Sequence, residues 1–463
     1  MSQPANYSEL IVQRFTRSKL TLLAVGFAVL TALVAVLCPL LANNRPLVMY
    51  ASMQGLFENH LAVALEQADL FRRSGEEDAR ALALSHLTEL EEHLPAAHHG
   101  VLERTIEALR RGPLGGEAIA DLEALGSAQP ERILRFPLLR GLEVGELFVI
   151  LGGAAGLVLC LLRRTRWIPA ACVLALLFSL ACRTIFPPTR DTLNYRRVLQ
   201  SDTFRSEKGW AILPPVFFGE NENIISDARK SPSWIGSTEA RHWHWFGTDT
   251  NGRDVLVRLI YGARVSMLVG IVSVALYTLI GVVLGALAGY YRGWVDLLIS
   301  RTIELIICFP VLMVILSVQA FLAPSLINLI LAMTLLWWTS VARLMRAEFL
   351  RLTELDFVSG VRALGGSDLR IIFLHILPNG LGPVLVMISF GVAGSIVVES
   401  ALSYLGFGVP QPMASWGDLL NNGRNDVAGL WWLTVFPGLA IFLTVTCFNL
   451  VGEAVRDALD PKG

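Results

Sequence analysis

The chain has 463 residues, of which 54% are hydrophobic and 17% charged, with a mean hydropathy of +0.55 and a formal net charge of −1. Soluble globular chains carry about 25% charged residues, and the shortfall here is concentrated in long stretches with no charge at all. This excludes a soluble enzyme, a disordered chain and a fibrous one, and predicts an all-α polytopic membrane protein with water-exposed portions.

The first uncharged run is Leu20–Ala42, preceded by Arg14, Arg17 and Lys19. It is too long for the apolar core of a cleaved leader, so it predicts a retained helix with the N-terminus in the cytoplasm. Residues 43–146 then hold 10 Arg against 17 Asp and Glu. Apolar residues recur there at helical spacing, in Leu61–Leu65, in Ala81–Leu84 and at Leu87, Leu90 and Leu94. A small external helical domain is expected, with a capping signal at Ser74-Gly75-Glu76-Glu77 and breaks near Gly112-Pro113 and Gln129-Pro130. His60, His86, His93, His98 and His99 fall in this segment at spacings that fit no zinc signature, which predicts solvated side chains.

Leu147–Leu162 and Trp167–Cys182 are a close pair of runs of 16 uncharged residues each. With Glu146 and Arg183 snorkelling, they predict an extra transmembrane hairpin turning at Arg163, Arg164 and Arg166; a re-entrant hairpin is the alternative. Residues 183–264, rich in Pro, Trp and polar side chains, read as an external, mostly extended segment. Val265–Tyr291 is a span, and Leu305–Ala342 is divided in two by Ala323-Pro324-Ser325. Leu377–Val398 and Leu430–Val451 complete a set of eight expected spans. The short inner segments then include Arg163–Arg166, Arg292–Arg301 and Arg343–Leu374, so the basic residues fall on the cytoplasmic side. Gly281, Gly285 and Gly289 form a stripe suited to close helix contact.

Chemistry-bearing motifs are missing: no GxxxxGK[ST], GxSxG or HExxH occurs. The six cysteines have no CxxC or Cys/His spacing and read as small buried hydrophobes. Asp249-Thr250-Asn251-Gly252-Arg253-Asp254 reads as a tight turn rather than a calcium loop. Glu304, Glu399 and Glu453 lie near span ends, where anchoring or packing is the expected role. No catalytic, cofactor-binding or metal residue is assigned, and no residue is assigned to a substrate pathway.

The most informative stretch runs from Arg343 to Asn379. It predicts a helix, a left-handed bend at Gly365-Gly366, a short helix capped by Ser367, and a next span opened by Pro378. This segment resembles the coupling loop of ABC-importer permeases, and the oligopeptide/dipeptide permease family more closely. The resemblance extends through Trp245-Phe246-Gly247-Thr248-Asp249, Gly252-Arg253-Asp254, Tyr261–Ser266, Glu399–Gly408, Ser415-Trp416-Gly417 and Arg456–Pro461. Ser359-Gly360-Val361 stands where the family motif has Glu-Ala-Ala, and His375 where the general motif has Ile; Gly365, Leu377 and Pro378 are retained.

The resemblance implies a type I importer core of six spans, here with an inserted outer helical domain and two extra spans. The expected organisation is residues 1–42, a cytoplasmic N-terminus and first span; 43–146, the external insertion; 147–182, the extra hairpin; and 183–264, an external loop. Residues 265–455 are the transport core with coupling loop 343–379, and 456–463 a cytoplasmic C-terminus. It implies a bacterial inner-membrane permease for peptides or a related small solute, with no enzymatic activity of its own. Its implied partners are a second permease, two ATP-binding cassette ATPases that bind the ATP, an external solute-binding protein and membrane lipid. Ser359, Gly360, Val361, Gly365, His375, Leu377 and Pro378 would meet the ATPase. A membrane sensor or scaffold reusing a permease core is the alternative.

Overall fold

The computed structural model describes residues 18–51, 54–91, 96–125, 133–142, 144–161, 168–185, 195–200, 204, 209–235 and 242–459. Residues 1–17, the expected Gln129-Pro130 break, the expected Arg163–Arg166 turn and the last four residues lie outside these. The chain forms two compact units, one of Met1–Cys38 with Phe218–Gly463 and one of Pro39–Phe217.

Helix α1 (Lys19–Leu41) opens the first unit, where its Ala32, Val34 and Ala35 join the main apolar core. The second unit begins with β1 (Val48–Ala51), followed by α2 (Gln54–Ser74), α3 (Glu77–Glu91), α4 (Ala96–Arg111) and α5 (Gly116–Leu125). These four helices bury one stripe each: Leu61, Ala64, Ala68 and Phe71 on α2; Ala79, Ala83, Leu87 and Leu90 on α3; Leu102, Ile106 and Leu109 on α4; Leu122 and Leu125 on α5. The i, i+3, i+4 spacing of those residues is what makes the bundle. Gly75, at φ +73°, ends α2, Ser74 Oγ accepts from Glu76 N at 3.3 Å, and α4 stops at Gly112-Pro113 as the sequence predicts. His86, His98 and His99 are half-buried rather than fully solvated.

A three-stranded sheet was not expected from the sequence. It orders β2 (Ile133–Arg135), β1 and β3 (Trp210–Ile212), both pairs antiparallel, with Met49 opposite Arg135 on one side and Ala211 on the other. Between β2 and β3 come α6 (Pro137–Gly141), the apolar α7 (Val144–Leu161) and α8 (Ile168–Ile185), and α9 (Tyr195–Gln200).

The first unit resumes with two 3-10 turns, Ile225–Asp227 and Ser233–Ile235, and then α10 (Val255–Tyr291). It continues through α11 (Gly293–Ile307), α12 (Val311–Leu322), α13 (Leu326–Leu352), α14 (Asp356–Ala363) and α15 (Asp368–Arg370). A π-helical segment, Ile371–Ile376, leads to α16 (Leu377–Gly380), α17 (Gly382–Tyr404), α18 (Trp416–Gly423) and α19 (Trp432–Leu459). Among the described residues, five helices, α1, α10, α13, α17 and α19, are long and apolar enough to cross a membrane, and the bent pair α11–α12 adds a sixth if taken as one span. The apolar stretches of α7 and α8, Val144–Gly156 and Ala170–Cys182, are shorter.

Helix starts follow local chemistry. Asp254 accepts from Val257 N at the head of α10 (2.9 Å), Ser325 from Asn328 N at α13 (3.0 Å), and Ser415 from Asp418 N at α18 (3.1 Å). The division at Ala323-Pro324-Ser325 is present, with Ala323 at φ +63°. A second break, not anticipated, bends α11 from α12 by 81° at Cys308-Phe309-Pro310. Proline disfavours the helical region for the residue before it, so the bend falls where Pro310 stands.

The glycine stripe on α10 sets how closely α13 approaches. A Cβ on Gly281 would lie 2.6 Å from Val341 Cβ, one on Gly285 2.5 Å from Ala342 O, and one on Gly289 2.5 Å from Phe349 Cβ. Three successive turns thus have no room for a side chain, and dispersion contact replaces the hydrophobic drive that lipid does not supply. Outward-facing Leu268, Ile271 and Leu279 on α10, Leu335 on α13 and Phe442 on α19 are exposed, as suits a hydrocarbon solvent. Of the cysteines expected as buried fillers, Cys38 and Cys182 are buried, Cys172 and Cys447 partly so, and Cys308 is exposed.

Candidate coupling site

The α13–α17 connection forms a compact knob. Helix α14 ends in a paired C-terminal turn: Gly366 N donates to Val361 O and Gly365 N to Arg362 O, both at 3.0 Å, with Gly365 at φ +80°. This is the Schellman arrangement, and it needs a residue at ease in the left-handed region. Val358, Ile371, Ile372 and Ile376 turn inward and join the main core. Ser359, Gly360, Leu364, Leu369, Phe373 and Leu374 remain exposed, Leu364 by 90%.

The residues that the resemblance assigns to this loop are therefore on one knob but not all on one face. Ser359 and Gly360 are exposed, while Val361 and Leu377 pack partly against the core. His375 lies in the π segment, half-buried, and its carbonyl accepts from Asn379 Nδ2 at 2.7 Å. Pro378 sits in the first turn of the short α16 but does not open the span, since the chain is already helical through the π segment and α17 starts at Gly382. Ser367 occupies the cap position ahead of α15 with extended backbone, but its side chain makes no capping bond.

Sequence reasoning missed what holds the knob. Tyr290 Oη donates to Asp368 Oδ1 at 2.6 Å, and the Arg362 guanidinium lies over the Tyr290 ring at 5.9 Å. Arg292 pairs with Glu354 and donates to Thr353 Oγ1 at 3.1 Å. Arg346 makes a two-pronged bond to Asp296, with Nη2 to Oδ2 at 2.6 Å. These bonds tie the knob and the C-terminal end of α13 to the end of α10 and the start of α11. The available signal was the polar cluster Tyr290-Tyr291-Arg292 closing a long uncharged run.

Asp249 and Arg253, two of the residues carrying the resemblance, belong to a buried ionic network with Arg258 and Asp418. Arg258, fully buried on α10, donates from Nη2 to Asp418 Oδ2 at 2.8 Å, and its Nε lies 4.0 Å from Asp249 Oδ2. Arg253 Nε donates to Asp249 Oδ2 at 2.6 Å and its Nη1 to Gln411 Oε1 at 3.1 Å; Gln411 Nε2 donates to Asp418 Oδ1 at 3.1 Å. Asp249 Oδ1 also accepts from Asn251 N and Arg253 N, so the 249–254 segment is the tight turn read from its Asp, Asn and Gly. Trp416 Nε1 donates to Leu259 O at 3.0 Å, and Trp432 Nε1 to Thr248 O at 3.0 Å. These bonds hold α10 to α18, and the segment ahead of α10 to α19.

Glu399, near the end of α17, is fully buried, so of the two expected roles, anchoring and packing, it has the second. Ser266 donates to its Oε2 at 2.9 Å and Ser403 to its Oε1 at 2.8 Å, so its role is packing between α10 and α17.

The sequence pattern of the family described as "Binding-protein-dependent transport system inner membrane component" matches residues 281–462, from the second half of α10 through α19. The chain is 41% identical over 219 residues to the dipeptide transport system permease protein DppC of Alkalihalophilus pseudofirmus, covering 47% of this chain and 72% of that one. It is 39% identical over 254 residues to the oligopeptide transport system permease protein OppC of Bacillus subtilis, covering 54% of this chain and 81% of that one. It is 37% identical over 274 residues to the peptidoglycan transport system permease protein YejE of Agrobacterium fabrum, covering 55% and 71%. The exposed knob on a bundle of apolar helices, the glycine-closed turn that shapes it and this degree of identity lead to one conclusion. The chain belongs to the inner-membrane components of binding-protein-dependent transport systems and is a multi-pass permease subunit of an ABC importer, not an enzyme.

Proposed function

We propose that the permease carries peptides or a closely related small solute, and that its 343–379 loop is the surface through which an ATPase drives it. The observation that carries the coupling role is the knob itself. Four buried side chains and the Tyr290–Asp368 bond fix it to the helices, while Leu364, Leu369, Phe373 and Leu374 are left facing outward. A rigid, partly apolar projection transmits the motion of a docked partner to the spans. The cargo class rests on the names of the relatives, which include dipeptide, oligopeptide and glutathione transport permeases. The complete importer would add a second permease, two ATPases and an external binding protein. The test is co-purification followed by reconstitution in vesicles. An ATPase should copurify, and ATP inside should drive peptide uptake only when the binding protein is outside. A chain that brings down no ATPase would be a sensor or scaffold instead.

The topology proposed is eight spans, with α7 and α8 as the extra pair, both termini cytoplasmic and the 43–146 insertion outside. The Arg-rich short connections support that orientation. In a background lacking native reactive cysteines, a cysteine at Ser367 should be shielded from an impermeant reagent added outside, and one at Asn422 should react. An exchange of those outcomes would overturn the orientation.

A further inference from the structure

Outside the knob and the ionic network, the first unit holds a cluster that its transport role does not use. Asp227 Oδ2 lies 2.8 Å from His242 Nδ1 and 3.4 Å from His244 Nε2, and the three ligand-type atoms are all within 4.8 Å of one another. Asp227 and His244 are fully buried, and His242 keeps its side chain 26% exposed. We propose that Asp227, His242 and His244 form a binding site for a divalent transition ion of the zinc class.

Tautomer chemistry carries the argument. A neutral imidazole has one N–H and one lone pair. Asp254 Oδ2 lies 2.8 Å from His244 Nδ1 and takes the N–H, which leaves the Nε2 lone pair turned toward a carboxylate oxygen. Two acceptors facing each other at 3.4 Å repel, and a cation between them converts the repulsion into two bonds. A carboxylate on the far nitrogen of a ligating histidine is the common supporting arrangement around zinc, because it fixes the tautomer and the ring direction. Bonds of about 2.0–2.2 Å in a tetrahedral site place neighbouring ligand atoms about 3.3 Å apart, close to the spacings seen here. His242 needs only to carry its proton on Nε2, and its partly exposed side chain leaves the fourth position to water. The mixed nitrogen and oxygen donor set suits zinc and its neighbours rather than calcium or magnesium.

The local fold prepares the site. His242 and His244 are two residues apart, with ring centroids 6.5 Å from each other, while Trp243 and Trp245 between and beyond them are exposed. Phe218 lies against the His244 ring at 4.6 Å between centroids. Gly252, at φ +77°, lets the 248–254 turn approach the Ile225–Asp227 turn so closely that a Cβ would sit 2.1 Å from Ile224 O. The ion would clamp those two turns together directly ahead of α10, whose first residues Asp254 caps. No zinc signature announces this in the sequence, since Asp227 stands 15 residues before His242.

The test uses the full chain in detergent, purified without a histidine tag, stripped with a chelator and titrated with zinc chloride against a chromophoric competitor. The wild type should hold one tight equivalent, and zinc should raise its melting temperature. His242→Ala, at the partly exposed ligand, should lose both effects while melting like the metal-free wild type. Asp254→Asn keeps a capping side chain and should weaken the tight equivalent about 10–100-fold. Replacing His86, His98 and His99 together should leave it intact. Absence of a tight equivalent in the wild type would overturn the proposal. So would tight binding that survives unchanged in both His242→Ala and Asp254→Asn.

Discussion

Arg258→Met is expected to destabilise the permease by about 3–5 kcal/mol, the usual consequence of removing one partner from a buried ion pair. The guanidinium is fully buried and bonds Asp418 at 2.8 Å, with Asp249 at 4.0 Å. Without it, Asp418 keeps weaker donors, Gln411 Nε2 at 3.1 Å and Asn422 Nδ2 at 3.2 Å. Because folded proteins hold a margin of only about 5–15 kcal/mol, the single variant should show a much lower melting temperature in detergent and a low yield. The double variant Arg258→Met with Asp418→Leu should regain much of the loss, since replacing both members of a buried pair with apolar groups is often near neutral. A single variant that melts like the wild type would show that the network does not hold α10 to α18.

Gly365→Val should reduce ATP-driven uptake about tenfold while the protein remains folded in the membrane. No atom lies within 4 Å of a Cβ built at this position, so the cost is not a collision. It is the φ of +80°, which a side chain makes unfavourable by roughly 1–2 kcal/mol; about 1.4 kcal/mol is a tenfold change in population. The buried side of the knob, Val358, Ile371, Ile372 and Ile376, is untouched, so melting should shift little. The outer face would be misplaced in most molecules and would transmit ATPase motion poorly. Asn tolerates the left-handed region better than other side chains, so uptake should rank Gly, then Asn, then Val at this position. The check is uptake and stimulated ATP hydrolysis in reconstituted vesicles; equal coupling in Gly365→Val would remove the loop from the mechanism.

The amino-acid order by itself determined the features whose causes are local. An uncharged run of about 20 residues must be a spanning helix in lipid, because its backbone has nowhere else to bond, and α10, α13, α17 and α19 lie where such runs stand. Glycines four residues apart make one helix stripe, and that stripe is the face α13 packs against. Gly365-Gly366 specifies a bend, and it is present, whereas the span expected to open at Pro378 opens at Gly382. Where causes are non-local, only the tertiary structure decided. Arg258 and Asp418 are separated by 160 positions, and nothing along the chain says which acid a buried arginine will meet. Glu399 reads as anchoring or packing from its distance to the helix end, and only the fold shows that Ser266, 133 residues away, meets it in the interior. Strand β1 finds its partners in segments far along the chain, too short to be recognised alone. The same holds for Asp227, His242 and His244. Hydrophobic runs and turn residues act on their own backbone, whereas charge pairing and ligand convergence depend on which distant side chains packing removes from water together.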